Sequence, residues 1–142
     1  MQKRKEDRAK TRAIIDEHIT KLISQGVPVE NIIIGGFSEG AIVAVDYILE
    51  APENHNLSGL VFLSGSVDDM SLAALKTRKK SINAFISHGK DDNVLGIDGP
   101  RRLIRELSKN KKNKISSLFF DGGHQITHKV ITKLGEFLKS IK

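Results

Sequence analysis

The chain has 142 residues, no cysteine, and 23 Lys and Arg residues against 17 Asp and Glu residues, which gives a net charge of +6. This length suits one domain over residues 1–142, in which residues 1–12 form a charged lead. The lack of cysteine excludes disulfides, thiolate nucleophiles and cysteine-ligated zinc, and it favours a cytoplasmic location.

The positive charge is concentrated in residues 3–12, 76–80 and 101–114. The chain has one Tyr and no Trp, so it offers few rings on which bases could stack. We therefore expect these segments to be solvated helix faces and loops, and we do not expect nucleic-acid binding. The apolar runs are far shorter than the ~20 residues of a membrane span, so no transmembrane segment is predicted.

The first predicted element is a helix that begins near Ile14 and ends at Gly26 and Pro28. Residues 32–35 follow as a short apolar run without alternation, which is typical of a strand covered on both faces. Apolar positions then recur at helical spacing up to Pro52. The apolar stripe of the first helix contains Ile14, Ile15, His18, Ile19, Leu22 and Ile23.

Three further strands are predicted at residues 60–63, 82–87 and 115–120, and helices separate them. Asp98 is a candidate N-cap for the helix before the last strand, and Asn110 is a candidate end. The elements alternate, so the sequence predicts an α/β fold with a partial, mostly parallel sheet of about four strands flanked by helices. The last helix has a continuous apolar stripe of Ile126, Val130, Ile131, Leu134, Phe137, Leu138 and Ile141.

The segment Gly36-Phe37-Ser38-Glu39-Gly40 matches the pattern G-x-S-x-G, in which a serine occupies a sharp turn between a strand and a helix. The glycines leave room for that turn and for close approach of the helix. A serine at this place is also a common helix N-cap. Its position after a buried strand and before an amphipathic helix favours a nucleophile, Ser38.

A serine nucleophile needs a histidine base, and five histidines compete for that role. His18 lies on the apolar stripe of the first helix, and His55 lies in a loop with no companion chemistry. His128 is expected to cap or pack, and His88 to make a structural hydrogen bond. His124 follows the last strand and precedes the last helix, which places it at the edge of the sheet where α/β sites lie.

Two neighbouring carboxylates, Asp91 and Asp92, follow the strand that ends near His88, and either one reaches the same edge of the sheet. If neither carboxylate takes part in catalysis, we expect a turn or capping residue at these positions. With either acid, the chain order is serine, aspartate, histidine. That is the order of α/β-hydrolases, and it differs from the orders of the chymotrypsin and subtilisin types.

Four segments together resemble the phospholipase/carboxylesterase family, whose members include acyl-protein thioesterases and small bacterial carboxylesterases. Residues 26–41 are similar to the family's "GIP…RI…GGFSQGG" block, and residues 63–65 to the strand end that follows it. Residues 88–92 match the first five positions of "HGxxDxxV", and residues 123–124 match "GH". The resemblance implies an α/β-hydrolase fold with nucleophile Ser38, acid Asp92 and base His124.

The resemblance also implies the reaction and its partners. We expect a serine carboxylesterase or acyl-protein thioesterase that forms an acyl-Ser38 intermediate, with the backbone N–H of Glu39 in the oxyanion hole. The substrates would be small acyl esters, lysophospholipids or S-acylated proteins. This chemistry needs no metal and no organic cofactor.

The sequence departs from the family pattern at three positions and in its upstream part. Glu39 replaces the usual Gln, Ala41 the usual second Gly, and no proline follows the Asp motif. Upstream strands and an "HGxG"-like loop, which donates the second oxyanion N–H in the family, are not found in this sequence. Losing one such donor lowers turnover by about 10²–10³-fold. The alternative to an active hydrolase is therefore a catalytically impaired remnant that acts as an interaction module. Residues 32–35 would then form an exposed sheet edge, open to a homodimer or a completing partner.

Overall fold

The computed structural model describes residues 2–52, 55–57, 59–78 and 80–141. Within these ranges the chain alternates helices and strands, as the sequence predicts. The elements are α1 (Gln2–Ser24), β1 (Ile33–Phe37), α2 (Glu39–Glu50), β2 (Gly59–Leu63), α3 (Asp69–Thr77), β3 (Asn83–Gly89), α4 (Asp98–Ser108), β4 (Ile115–Phe120) and α5 (His128–Ser140), with a short 3₁₀ helix at Val29–Asn31.

The four strands form one parallel sheet in the order β1-β2-β3-β4. Successive side chains of a strand point to opposite faces, and both faces of β2 and β3 are apolar. Phe62 and Ile86 pack with α2, α3 and α4 on one face. Val61 and Phe85 pack with α5 on the other face. These two cores fix the sheet. Because the four strands are parallel, their carboxyl ends lie at the same edge.

The helix α1 begins at Gln2, well before the predicted start near Ile14. Residues 2–12, predicted as a charged lead, are helical because Lys, Arg, Glu, Gln and Ala are strong helix formers. This segment lacks an apolar stripe, so periodicity could not reveal it. Two ion pairs hold it in place: Arg12 Nη1 lies 2.8 Å from Asp46 Oδ2, and Arg8 Nη1 lies 3.5 Å from Asp68 Oδ2.

The structure corrects one detail of the predicted helices and refines two others. Asp98 is the first residue of α4, and the N-cap position belongs to Ile97, whose apolar side chain makes no capping bond. The same helix ends at Ser108 with Lys109 as its C-cap, so Asn110 directly follows the end of the helix. The apolar stripe of α5 is only partly buried, because Val130 and Phe137 lie in the core while Ile131 is 59% exposed.

The open edge of β1 is the edge that the sequence predicts to be exposed. Among the described strands, β1 pairs only with β2. A groove of about 350 Å³ runs beside it, lined by apolar side chains of α1 and β1 such as Ile19, Leu22 and Ile33. A homodimer or a completing partner at this edge stays a prediction, which sedimentation velocity would test. Across the described ranges, no helix is long and apolar enough to cross a membrane.

His55 is not the isolated loop histidine that the sequence predicts. Its ring is buried, and its Nδ1 lies 2.5 Å from Asp16 Oδ1 on α1. The hydroxyl of the fully buried Tyr47 donates a hydrogen bond of 2.8 Å to the same oxygen. Burial, followed by the hydrogen bond and the charge of Asp16, raises the pKa of Tyr47. The three side chains connect α1 to α2 and to the loop before β2.

Replacing Asp16 with alanine is expected to lower the free energy of unfolding by about 1–3 kcal/mol, because it leaves two buried polar groups without their acceptor. Urea unfolding followed by circular dichroism measures the change. Glu17→Ala is the matched control, since Glu17 is exposed on the same helix. Equal unfolding midpoints for the two variants would contradict a stabilising role of Asp16.

Candidate active site

Ser38 occupies a strained turn between β1 and α2. Its backbone has φ 58° and ψ −118°, a conformation that L residues rarely adopt. Although Ser38 precedes the helix, its side chain makes no capping hydrogen bond, and its N–H donates to the carbonyl of Leu63 at 2.8 Å. A Cβ on Gly36 would collide with the backbone of Gly40, so the turn requires glycine there. The hydroxyl is left free for another partner.

That partner is His124. Its Nε2 lies 2.9 Å from Ser38 Oγ, and its Nδ1 lies 2.7 Å from Asp92 Oδ2. A carboxylate only accepts hydrogen bonds, so Nδ1–H donates to Asp92, and Nε2 is left to accept the Ser38 hydroxyl proton. The structure thus brings together three side chains that lie on three different loops at the carboxyl edge of the sheet.

The carboxylate of Asp92 is fully buried, and both of its oxygens accept hydrogen bonds. Its Oδ1 accepts the N–H groups of Val94 and Leu95, both at 2.9 Å, and its Oδ2 accepts from His124. Burial alone would raise the pKa of Asp92, but the hydrogen bonds from His124, Leu95 and Val94 outweigh it and lower the pKa. Asp92 is thereby held as an anion beside the imidazole.

The neighbouring Asp91 is exposed and does not touch the imidazole in the described structure. Its backbone N–H donates to the carbonyl of Gly122 at 2.9 Å. Asp91 therefore helps to hold two loops together, while Asp92 supplies the carboxylate. The two candidates that the residues alone leave open are separated by the path of the loop.

His88 makes the structural hydrogen bond that the sequence predicts. Its Nε2–H donates to the carbonyl of Leu95 at 2.7 Å, and the same nitrogen lies 3.4 Å from Asp92 Oδ2. The ring is completely buried at the end of β3. It connects β3 to the far end of the loop that carries Asp92.

Two contacts that hold the His124 loop could not be found by sequence reasoning. The ring of Phe37 packs against the His124 ring with centroids 4.9 Å apart. A Cβ on Gly89 would collide with the carbonyl groups of Gly122 and Gly123, so glycine is needed where the two loops meet. The sequence offered one indication, the glycine that follows His88 in the motif. Nothing in the motif showed that this glycine contacts the loop that carries His124.

The other histidines lie away from Ser38. His128 is exposed at the start of α5, where Thr127 supplies the capping side chain. His18 is exposed on α1 beside the apolar groove at β1. Within the part of the chain that the structure describes, no group of three or more acidic or histidine side chains is arranged to hold a metal ion.

A cleft of about 590 Å³ opens beside Ser38. It lies between α1, α2 and the loop after β3. Its lining consists of Asp7, Arg8, Thr11, Ser38, Glu39, Ile42, Val43, Asp46, Val94 and Leu95.

A parallel sheet with helices on both faces, and a serine on a strained turn at the carboxyl end of a strand, define an α/β-hydrolase fold. Solved structures support this assignment. The Bacillus cereus carboxylesterase superposes with a TM-score of 0.73 at 21% identity over 97% of this chain and 63% of its own. The Zea mays acyl-protein thioesterase 2 gives a TM-score of 0.63 at 21% identity over 93% and 65%.

Sequence comparison identifies the family. The sequence model of the phospholipase/carboxylesterase family matches residues 1–142, and the chain belongs to that family. Acyl-protein thioesterase 1 of Eremothecium gossypii is 30% identical over 134 residues, which are 89% of this chain and 54% of that protein. The chain thus spans about half the length of this curated relative. The Dictyostelium discoideum acyl-protein thioesterase 1 homolog 2 is 33% identical over 87 residues, which cover 61% of this chain and 38% of that protein.

Proposed function

We propose that this chain is a serine hydrolase that cleaves carboxylic esters or thioesters through an acyl-Ser38 intermediate. The observation that carries the proposal is the hydrogen-bonded series Ser38–His124–Asp92, in which the serine sits on a strained turn and makes no capping bond. Substrates of the family type are small acyl esters, lysophospholipids and S-acylated proteins. A cytoplasmic location belongs to the same proposal.

The steps follow from the roles of the three side chains. Ser38 Oγ attacks the acyl carbon while its proton moves to His124 Nε2, and Asp92 stabilises the imidazolium. The carbonyl oxygen becomes an oxyanion, which accepts the N–H of Glu39 at the first position of α2, where no intrahelical acceptor exists. The leaving oxygen or sulfur takes the proton from His124. Water then attacks the acyl-enzyme by the same route and releases the acid.

A fluorophosphonate probe tests this proposal directly. It should form a covalent bond with the full chain, and the bond should map to Ser38 by peptide mass spectrometry. Ser38→Ala is the control and should stay unlabelled. If the folded chain is not labelled, the proposal of a serine hydrolase is wrong, and the alternative of a catalytically impaired interaction module takes its place.

That alternative has less support. A serine in a left-handed backbone conformation costs about 1–3 kcal/mol and persists only where the surrounding structure holds it. The burial of the Asp92 carboxylate with three hydrogen bonds is a second feature of this kind. Nucleophilic catalysis explains both features, and an interaction surface at the edge of β1 requires neither.

Glu39→Gln is expected to raise kcat about two- to fivefold, because it removes a negative charge next to the developing oxyanion and keeps the backbone N–H. The side chain is exposed, so salt should weaken the effect. Steady-state hydrolysis of a nitrophenyl ester at low and high salt measures it. Glu50→Gln, at the other end of α2, should leave kcat unchanged. A Glu39→Gln variant no faster than wild type would contradict the electrostatic argument.

A further inference from the structure

We propose that a groove between α3 and α4 binds an anionic ligand that carries two phosphate groups. The groove reaches the amino edge of the sheet, and Ser38 lies at the opposite, carboxyl edge. The inference therefore does not rest on the proposed function. It assigns a ligand to two basic segments for which the sequence alone predicts only contact with solvent.

Two of the three basic segments of the sequence meet at this place. Residues 76–80 come just before β3, and residues 109–114 come just before β4. The two strands are parallel neighbours, and the N–H of Ile82 donates to Asn113 Oδ1 at 2.7 Å where they begin. A cavity of about 260 Å³ opens there, and its lining contains the four cationic side chains Lys76, Arg78, Lys80 and Lys109.

A second cavity of about 380 Å³ continues the first one along the two helices. Lys76, Glu106 and Lys109 line both cavities, so the two form one groove between α3 and α4. Arg102 and Arg105, which are neighbours on the surface of α4, add two guanidinium groups to the second cavity. Within the described ranges, the groove is thus lined by six cationic side chains and by two carboxylates.

Both carboxylates of the groove already have a cationic partner. Asp69 of α3 pairs with Arg102 of α4, and Glu106 Oε2 lies 3.2 Å from Lys109 Nζ. In the part of the chain that the structure describes, no carboxylate lies within ion-pair distance of the four other cations, which are Lys76, Arg78, Lys80 and Arg105. A phosphate group carries about −1.5 to −2 charges near pH 7, so two such groups match this excess of positive charge.

The guanidinium group of Arg78 is held in the wall of the first cavity by neutral acceptors. Its Nη1 donates to the carbonyl of Ile48 at 3.1 Å, and its Nη2 donates to Asn56 Oδ1 at 2.6 Å and to the carbonyl of Leu57 at 3.3 Å. Its Nε is buried, and no described residue accepts the proton on that atom. Burial lowers the pKa of Arg78, because the charged form is only partly solvated. An anion in the groove would offset this cost of burying a positive charge.

The cationic side chains are not the groups that cap the ends of the two helices. Basic side chains near a helix C-terminus commonly bind its last carbonyl groups. Here, the hydroxyl of Thr77 donates to the carbonyl of Ala74 at the end of α3. At the end of α4, the side-chain amide of Asn113 donates to the carbonyl of Leu107 at 2.8 Å. The lysine side chains of the groove therefore have no such role to explain their position.

Titration calorimetry of the full chain with pyrophosphate, inorganic phosphate and acetate tests this site, at an ionic strength held constant with sodium chloride. Pyrophosphate should bind at least about tenfold more tightly than phosphate, because its second phosphate group reaches the second cavity. Acetate, with one charge, should not bind measurably. Pyrophosphate should also raise the melting temperature, since it binds only the folded protein. Absence of pyrophosphate binding at millimolar concentrations, or equal binding of pyrophosphate and acetate, would overturn the proposal.

The double variant Lys76→Gln/Lys80→Gln should bind pyrophosphate about tenfold more weakly or worse. The matched control is Lys129→Gln/Lys139→Gln, which removes the same charge from α5 on the other face of the sheet and should keep the wild-type affinity. All four lysines are exposed, so both variants should fold. If Lys76 and Lys80 serve only the helix dipoles, their replacement will lower the melting temperature and leave the affinity unchanged. That result, or equal losses of affinity in the two double variants, would refute the site.

Vesicles distinguish a soluble ligand from a lipid headgroup with the same chemistry. Phosphatidylcholine vesicles with and without phosphatidylinositol bisphosphate are sedimented with the wild type and with Lys76→Gln/Lys80→Gln. Sedimentation that needs both the bisphosphate and the two lysines would support the site with a lipid headgroup as its ligand. Pyrophosphate binding without sedimentation would support it with a soluble diphosphate. Sedimentation that the double variant keeps in full would count against the groove. Ser38→Ala should bind pyrophosphate like the wild type, because this site is independent of the hydrolase.

Discussion

His124→Ala is expected to lower kcat/KM for a nitrophenyl ester by about 10⁴–10⁶-fold, because the Ser38 hydroxyl then loses the base that accepts its proton. The distance of 2.9 Å between His124 Nε2 and Ser38 Oγ is that of a hydrogen bond already formed in the resting protein. The hydroxyl of a serine is a poor nucleophile without such a partner. Fluorophosphonate labelling should slow in parallel with turnover, since both need the same activated oxygen.

His128→Ala is the matched control for this prediction. His128 lies four residues further along the chain, at the exposed start of α5, and Thr127 rather than His128 caps the helix. Its replacement should change kcat/KM by less than about twofold. If the two histidine variants lost similar activity, or if His124→Ala kept more than a tenth of the wild-type rate, His124 would not be the base.

Much of the fold was predictable because its signals are local. Strands buried on both faces produce apolar runs, and helices produce a period of 3.6 residues, so the four strands and their order as α/β units follow from residue pattern. The position of the candidate site was predictable for a related reason. Parallel strands end at a common edge, so side chains just after strands, such as Ser38 and His124, gather there whatever the details of packing.

What sequence reasoning missed depends on contacts between distant residues. The partner of His55 is Asp16, which is 39 residues away on α1, and no local pattern joins them. The first half of α1 is helical without an apolar stripe, and its ion pairs with α2 and with Asp68 join residues that are far apart in the chain. The same segment forms a wall of the cleft beside Ser38, so the shape of that cleft could not be predicted from the sequence either.

The choice between Asp91 and Asp92 shows where local reasoning ends. Both follow the same strand, and only the resemblance to a family motif favoured Asp92. The structure gives a physical reason, because the loop turns so that Oδ1 of Asp92 accepts two backbone N–H groups while Oδ2 faces His124. Asp91 points outward and contributes its backbone alone.

Asp92→Asn should therefore lower kcat/KM by about 10⁴-fold while the fold is kept. The amide oxygen can still accept from Val94 and Leu95, but the NH₂ group then faces His124 Nδ1. A donor opposite a donor favours the other tautomer of the ring, in which Nε2 carries the proton and cannot accept the proton of Ser38. Asp91→Asn is the control, and it should cost less than about twofold. Similar losses in the two variants would contradict the assignment of Asp92 as the acid.

Acid unfolding gives a second measurement of the same carboxylate. Folding lowers the pKa of Asp92 below the ordinary value of 3.8, so the ionised group adds stability that is complete above that value. This stability is lost as the pH falls through the lower pKa of the folded state. Asparagine does not titrate, so the difference in unfolding free energy between wild type and Asp92→Asn should shrink as the pH falls below about 4. A difference that stays constant down to pH values near 2 would show that Asp92 is not held as an anion by His124 and the two backbone N–H groups.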